Sequence, residues 1–212
     1  MAKAFSQQET DMILKDLKAS ARKYAVSCGM RKITVEELAK EAGISKGAFY
    51  KFYPTKEMLF FELLEDLHSE IYEACADILM QNQGKQANKR TAEAVLEACK
   101  IMGQSGMMDF LEQDVPFLLR RIPAEVLEQH YHGDEAHIKE LLGRAGLEPE
   151  GGMELAAATV RGLFLTVSHR DHIGPLYPQV LETLVYGACQ RLFPNNSGGW
   201  RNPCPGTLLR RN

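Results

Sequence analysis

The sequence predicts an all-α fold, with a three-helix N-terminal head followed by a longer helical body. Three observations lead there. Apolar residues recur every three to four positions through most of the 212 residues, and no stretch alternates as a strand would. Residues that start and stop helices punctuate that pattern. Charge is also divided along the chain. Residues 1–60 hold 11 Lys/Arg against 7 Asp/Glu, and residues 61–193 hold 11 against 21, within a net charge of −3. A basic head on an acidic body suits a chain that docks one face on a polyanion and keeps the rest away.

The first helix is expected to begin near Gln7, where Ser6 and Glu9 form a capping box. Its inward stripe is Ile13, Leu17, Ala21, Tyr24 and Ala25, extended by Cys28 and stopped by Gly29. Thr34 and Glu37 form a second capping box. Leu38 and Ala39 then face inward, Gly43 supplies a turn that favours a left-handed backbone, and Ile44 plugs the corner. Ser45 caps the next helix, whose apolar side is Phe49 and Phe52, and Pro54 ends it. This is the residue logic of a helix-turn-helix: a small residue at the crossing, a turn glycine and a few apolar pins. Lys46, Gly47, Tyr50 and Lys51 project away from those pins, and such residues suit a phosphate-lined major groove.

The run GISKGAFYKFYPTKEML resembles the DNA-binding signature of the TetR family of transcriptional regulators. The resemblance rests on the short second helix, the Gly47-Ala48-Phe49-Tyr50 core and the Lys56-Glu57 pair. It is detailed over about residues 10–64 and only architectural beyond. It implies a DNA interface at Thr34, Ser45, Lys46, Gly47, Ala48, Tyr50, Lys51 and Lys56. Tyr50 and Lys56 are backbone-positioning residues by resemblance, and Thr34 also fits a phosphate. Lys46 and Lys51 are better placed for base edges, and Ala48 could pack on a thymine methyl. The resemblance further implies a homodimer on a pseudo-palindromic double-stranded operator, most simply a repressor, released by a small-molecule effector in a ligand-binding and dimerisation body. Activation remains open, as do the effector, the operator and the regulated genes.

The expected boundaries are a head at 1–54, a body at 55–193 and a disordered tail at 194–212, native or appended. Thr55 caps a long helix to about Gln83, with Leu59, Leu63, Leu67, Ile71, Cys75 and Ile78 at helical period. Further helices are expected at about 89–102, 107–111, 124–131, 135–144, 153–168 and 176–193, with Gly133 separating 124–131 from 135–144 and with Pro116 and Pro123 bounding an apolar patch at 117–119. Met102, Met107, Phe110, Phe117 and Phe164 form a soft apolar set between broken helices, which either is ordinary core or walls an apolar or amphiphilic effector site; Arg161 is a candidate anion partner there. The last helix has too wide an apolar stripe for one buried side. Leu176, Val180, Leu181, Leu184 and Ala188 are therefore assigned to a dimer interface shared with helix 153–168.

Other classes fare worse. There is no nucleophile elbow, phosphate-cradling glycine loop or HExxH, so no enzyme is expected. His130, His132 and His137 are not spaced as a one-helix ligand set, and His169 and His172 lie near a helix end. No metal site and no cofactor are assigned. The five cysteines are scattered, as in reduced cytosolic proteins, and neither a membrane span nor a signal peptide is read, which places the chain in the cytoplasm without a membrane partner. The alternatives are an effector-independent DNA-binding dimer and, less favoured, a metal-sensing or enzymatic helical protein.

Overall fold

The computed structural model describes residues 5–81 and 83–195, without side-chain detail at 132, 134 and 135. The tail expected from 194 lies almost wholly outside the described residues. Among those described, the structure is helical with no strand: α1 (Gln7–Ser27), α2 (Val35–Glu41), α3 (Lys46–Phe49), α4 (Lys56–Gln81), α5 (Ala87–Gln104), α6 (Val115–Leu119), α7 (Ala124–Arg144), α8 (Gly152–Val167), α9 (Arg170–Ile173) and α10 (Tyr177–Leu192). A 3-10 turn at Met30–Lys32 follows α1 and a π turn at Phe110–Asp114 precedes α6. No described helix is long and apolar enough to cross a membrane.

The head forms where its caps dictate. Both reciprocal capping boxes are made, Ser6 with Glu9 and Thr34 with Glu37. The turn after α2 closes as a Schellman motif: Ile44 N–H reaches Ala39 O at 2.9 Å and Gly43 N–H reaches Lys40 O at 3.2 Å, with Gly43 at φ 67°. Ser45 Oγ then accepts Ala48 N–H at 3.2 Å and launches α3 at once. Leu17, Leu38, Phe49 and Leu59 meet with under 2 % exposure at the centre of the head.

α4 is the shared wall. Its Leu59, Phe60, Leu63, Leu67, Ile71, Cys75 and Leu79 are all buried in the one cluster that spans head and body. α5, α7, α8 and α10 complete the body, with α4 beside α5 and α7, and α10 beside α5 and α8. One continuous hydrophobic cluster runs from Ile13 to Phe193.

Two expectations need correction. Helices 124–131 and 135–144 are one helix, α7. A mid-helix glycine costs only about 1 kcal/mol, which tertiary packing on α4 and α8 outweighs. Pro116 does not bound its segment; it sits in the first turn of α6, directly behind the π turn. The wider turn accommodates a residue that cannot donate an N–H.

Candidate nucleic-acid interface

Phe49, the apolar pin of α3, is fully buried, which leaves α3 with a polar outer surface. Ser45, Lys46, Gly47, Tyr50 and Lys51 are exposed, Ala48 is half-buried, and Phe49 beneath them is fully buried. Tyr50 is held edge-on against Phe49, with centroids 5.6 Å apart, which fixes the direction of its hydroxyl. Lys51 Nζ lies 5.6 Å from the centroid of Phe5. Lys46 Nζ pairs with Glu36 at 2.6 Å, so an acceptor on a duplex would have to compete with that carboxylate. The pairing also holds Glu36 below the usual carboxylate range, chiefly through the hydrogen bond from Lys46.

Two expected contacts are differently placed. Lys56 is half-buried, and its Nζ donates to Met30 O at 2.9 Å and Ile33 O at 2.6 Å. Two of its three N–H groups therefore close the end of the 3-10 turn. Thr34 Oγ1 is exposed but engaged by Glu37, accepting its N–H at 3.2 Å and lying 2.7 Å from its Oε2. Both residues shape the head before they could touch a phosphate.

The head is strapped to what lies behind it. Glu41 on α2 accepts from Lys23 Nζ and Tyr24 Oη, each at 2.7 Å, and from Ser20 Oγ at 3.0 Å. These bonds, led by Lys23, hold its carboxyl at about 2. Lys18 reaches Glu62 at 2.7 Å and Asp66 at 3.0 Å on α4, and Arg22 reaches Glu70 at 2.7 Å. The buried carboxylate of Asp114, in the π turn, accepts from Met30 and Arg31.

Residues 19–63, which contain all of α2 and α3, match the model of the family described as bacterial regulatory proteins, tetR family. The head is a TetR-family DNA-binding domain. A relative, the uncharacterized HTH-type transcriptional regulator YdgC of Bacillus subtilis, is 33% identical over 81 residues, which is 37% of this chain and 41% of YdgC. The match thus spans about two-fifths of that relative's length. The crystal structure of a TetR transcriptional regulator from Rhodococcus sp. RHA1 has a TM-score of 0.61 at 16% identity, covering 89% of this chain and all of that one. FadR from Bacillus subtilis, solved in complex with stearoyl-CoA, has a TM-score of 0.55 at 18% identity, covering 82% and 98%. These two likenesses establish the fold of the body as well as the head.

The body encloses a narrow apolar slot between α4, α5, α7, α8 and α10. Its cavity volume is about 60 Å³, so an extended chain could enter only if the slot widened. Ile71, Tyr72, Val160, Leu163 and Phe164 are among its walls, and its exposed lining is apolar. Cys75 and Cys189 also line it; burial pushes their thiols up, to about 12 and about 11, so they stand there as neutral apolar groups.

The expected effector residues separate. Phe164 lines the slot, whereas Met102, Met107, Phe110, Phe117 and Arg161 do not. Met107 and Phe110 are fully buried core, Phe110 packing on Phe60 at 5.9 Å. Met102 fills space between the two hydrophobic clusters. Phe117 lies beneath the guanidinium of Arg121 at 3.4 Å and near that of Arg31 at 5.9 Å, where the body meets the head. Arg161 is on the exposed side of α8. A run of Met and Phe between helix breaks marked packing under the head, and the slot was built instead from plain aliphatic positions of five regular helices.

The expected dimer residues also divide. Leu176 is 64 % exposed and Leu184 is 43 % exposed, with Val180 half-buried between them. Leu181 packs on the smaller core cluster and Ala188 lines the slot, so these two face their own body. α8 adds Leu155 and Leu165, 51 % and 68 % exposed, with Ala158 and Gly162 between them. Together they form an outward apolar strip on two adjacent helices.

Another group was not singled out from the sequence. Glu65 and His68 on α4 meet His130 on α7, their ligating atoms all within 4.8 Å of one another. The local signal was the Glu65-x-x-His68 spacing, which puts both on one helix face. The partner lies 62 residues further on, out of reach of any local pattern.

Proposed function

We propose that this protein is a DNA-binding transcriptional regulator, most simply a repressor, that binds a pseudo-palindromic operator as a homodimer. The observation that carries this reading is the exposed, hydroxylated and cationic crest of α3, held on a fully buried and capped frame. Tyr50 positions the head on phosphate, and Lys46 and Lys51 reach base edges in the major groove. The apolar strip on α8 and α10 pairs two chains about a two-fold axis, which presents two heads to successive grooves.

The effector, in this reading, carries an extended apolar chain that enters the slot walled by Ile71, Val160 and Phe164. The apolar lining supports that class, and the stearoyl-CoA held by FadR, a protein of like fold, is consistent with it. Widening the slot would move α4, which continues without a break into the head. Release follows only if the effector binds the released arrangement more tightly than the DNA-bound one.

The test uses duplex DNA from upstream of the protein's own gene, with fluorescence anisotropy as readout. Binding to a duplex that carries a two-fold symmetric site, lost on adding stearoyl-CoA but not free coenzyme A, is the expected result. Absence of any site-specific binding would overturn the regulator reading. Binding indifferent to stearoyl-CoA would remove this effector class.

A further inference from the structure

The crevice between α4 and α7, on the far side of Tyr72 from the apolar slot, holds a different chemistry. His130 is 8 % exposed, and its Nδ1 lies 2.5 Å from Glu65 Oε1. The ring of His68 stacks on that of His130, with centroids 5.1 Å apart and planes within 17°. Phe61 closes one side of His130 edge-on at 5.4 Å, and Tyr72 meets His137 at 4.9 Å on the other. Tyr72 lines both this crevice and the slot.

We infer that Glu65, His68 and His130 form a binding site for a divalent transition-metal ion. Two imidazoles and one carboxylate make the three-ligand set that zinc accepts while keeping a fourth position open to water or another donor. Imidazole favours zinc, cobalt and nickel over magnesium and calcium, whose sites are built from oxygen. Tetrahedral bonds of about 2.0–2.1 Å put neighbouring ligands roughly 3.3 Å apart. The atoms here already lie within 4.8 Å, and the Glu65–His130 pair at 2.5 Å would open slightly as the others close around an ion. The helix supplies half of the geometry, since residues three apart on α4 stand on one face. α7 supplies the rest through His130.

The position of the ion gives it a consequence. It would join α4, which carries the head, to α7, which belongs only to the body. It would also stand behind Tyr72, a wall of the slot. Loading therefore fixes one spacing of α4 against α7. The site stands on its own chemistry, whether or not the chain binds DNA.

The test is metal binding by the tag-free, metal-stripped full chain, with Zn²⁺ alone titrated against a chromophoric chelator and Co²⁺ followed by visible absorption. One equivalent per chain is expected, with an absorption band in the cobalt form. His68→Gln and His130→Gln should each weaken binding by about a hundredfold or more, since even losing a supporting contact costs up to that much. Circular dichroism should show their helicity unchanged. A third variant, Glu65→Gln, keeps the side-chain shape and should also bind weakly, which guards against loss through misfolding. The double change His169→Gln with His172→Gln, at α9, should leave affinity unaltered. Failure of the native chain to take up either metal would overturn the proposal. Equal affinity in a folded His68→Gln and His130→Gln double variant would do the same.

Discussion

Asp114 holds Met30: its Oδ2 accepts the Met30 backbone N–H at 2.6 Å, deep in the seam between head and body. The other oxygen accepts from Arg31 Nε at 3.0 Å. Gly29 makes room for this contact. Its backbone lies at φ 86° and ψ 156°, a region essentially closed to other residues, and a Cβ there would fall 2.8 Å from Asp114 Oδ2. Asp114→Ala should cost about 1–3 kcal/mol, the penalty for leaving a buried donor unpaired. Gly29→Ala should cost a similar amount, about 1–3 kcal/mol, through backbone strain. Urea unfolding measures both. An unchanged midpoint in both variants would mean that the latch contributes nothing to folding.

At the recognition surface, Tyr50→Phe removes one neutral hydrogen-bond donor and should weaken DNA binding by roughly 1 kcal/mol for all sequences alike. Lys46→Ala should relax preference at one base pair. Glu36→Gln should tighten binding, because it removes both a carboxylate near the phosphates and the competitor for Lys46 at 2.6 Å. Weaker binding by that variant would show that Glu36 positions Lys46 for DNA rather than withholding it.

The exposed strip on α8 and α10 predicts the oligomeric state. Leu165→Glu or Leu184→Glu places a charge where an apolar partner is expected, a cost of roughly 3 kcal/mol or a hundredfold and more in dimer affinity. Both side chains are exposed in a single chain, so each variant should fold. Sedimentation should then report monomers. Folded dimers in both cases would move the interface elsewhere.

Acid should loosen α1 from α2. The Glu41 carboxyl falls from an ordinary 4.5 to about 2, chiefly through the hydrogen bond from Lys23 and then that from Tyr24. A depressed carboxylate stabilises the folded state above its unfolded value and loses that contribution as pH falls toward the folded one. The melting-temperature gap between the native protein and Glu41→Gln should be full at pH 6, shrink below about pH 4.5 and close toward pH 2. A gap that stays constant from pH 6 to pH 3 would place the effect of Glu41 outside its charge.

What could be read in advance followed the range of the forces involved. Ser6, Thr34, Gly43 and Ser45 act within five residues of themselves, and the head was legible from them to within a residue or two. The all-α body was legible from its periodicity. Its slot was not, because an apolar position filling core and one lining a void present the same residue to the sequence. Met107 and Phe164 differ only in what stands opposite them. Gly133 read as a break because local propensity cannot weigh the packing of α7 on α4 and α8.

The core that runs without a gap from Ile13 to Phe193 bears on how such a protein could be taken apart. A fragment ending at Pro54 would lose Leu59, Phe60, Leu63 and Leu67, together with the acidic partners of Lys18 and Arg22. Its remaining helices would expose the surface that α4 now covers. The DNA reader is therefore not a cassette that can be lifted out at the end of its own motif. A chimaera meant to exchange one regulator's target with another's should carry α4 along with the graft and place its junction in the loop before α5.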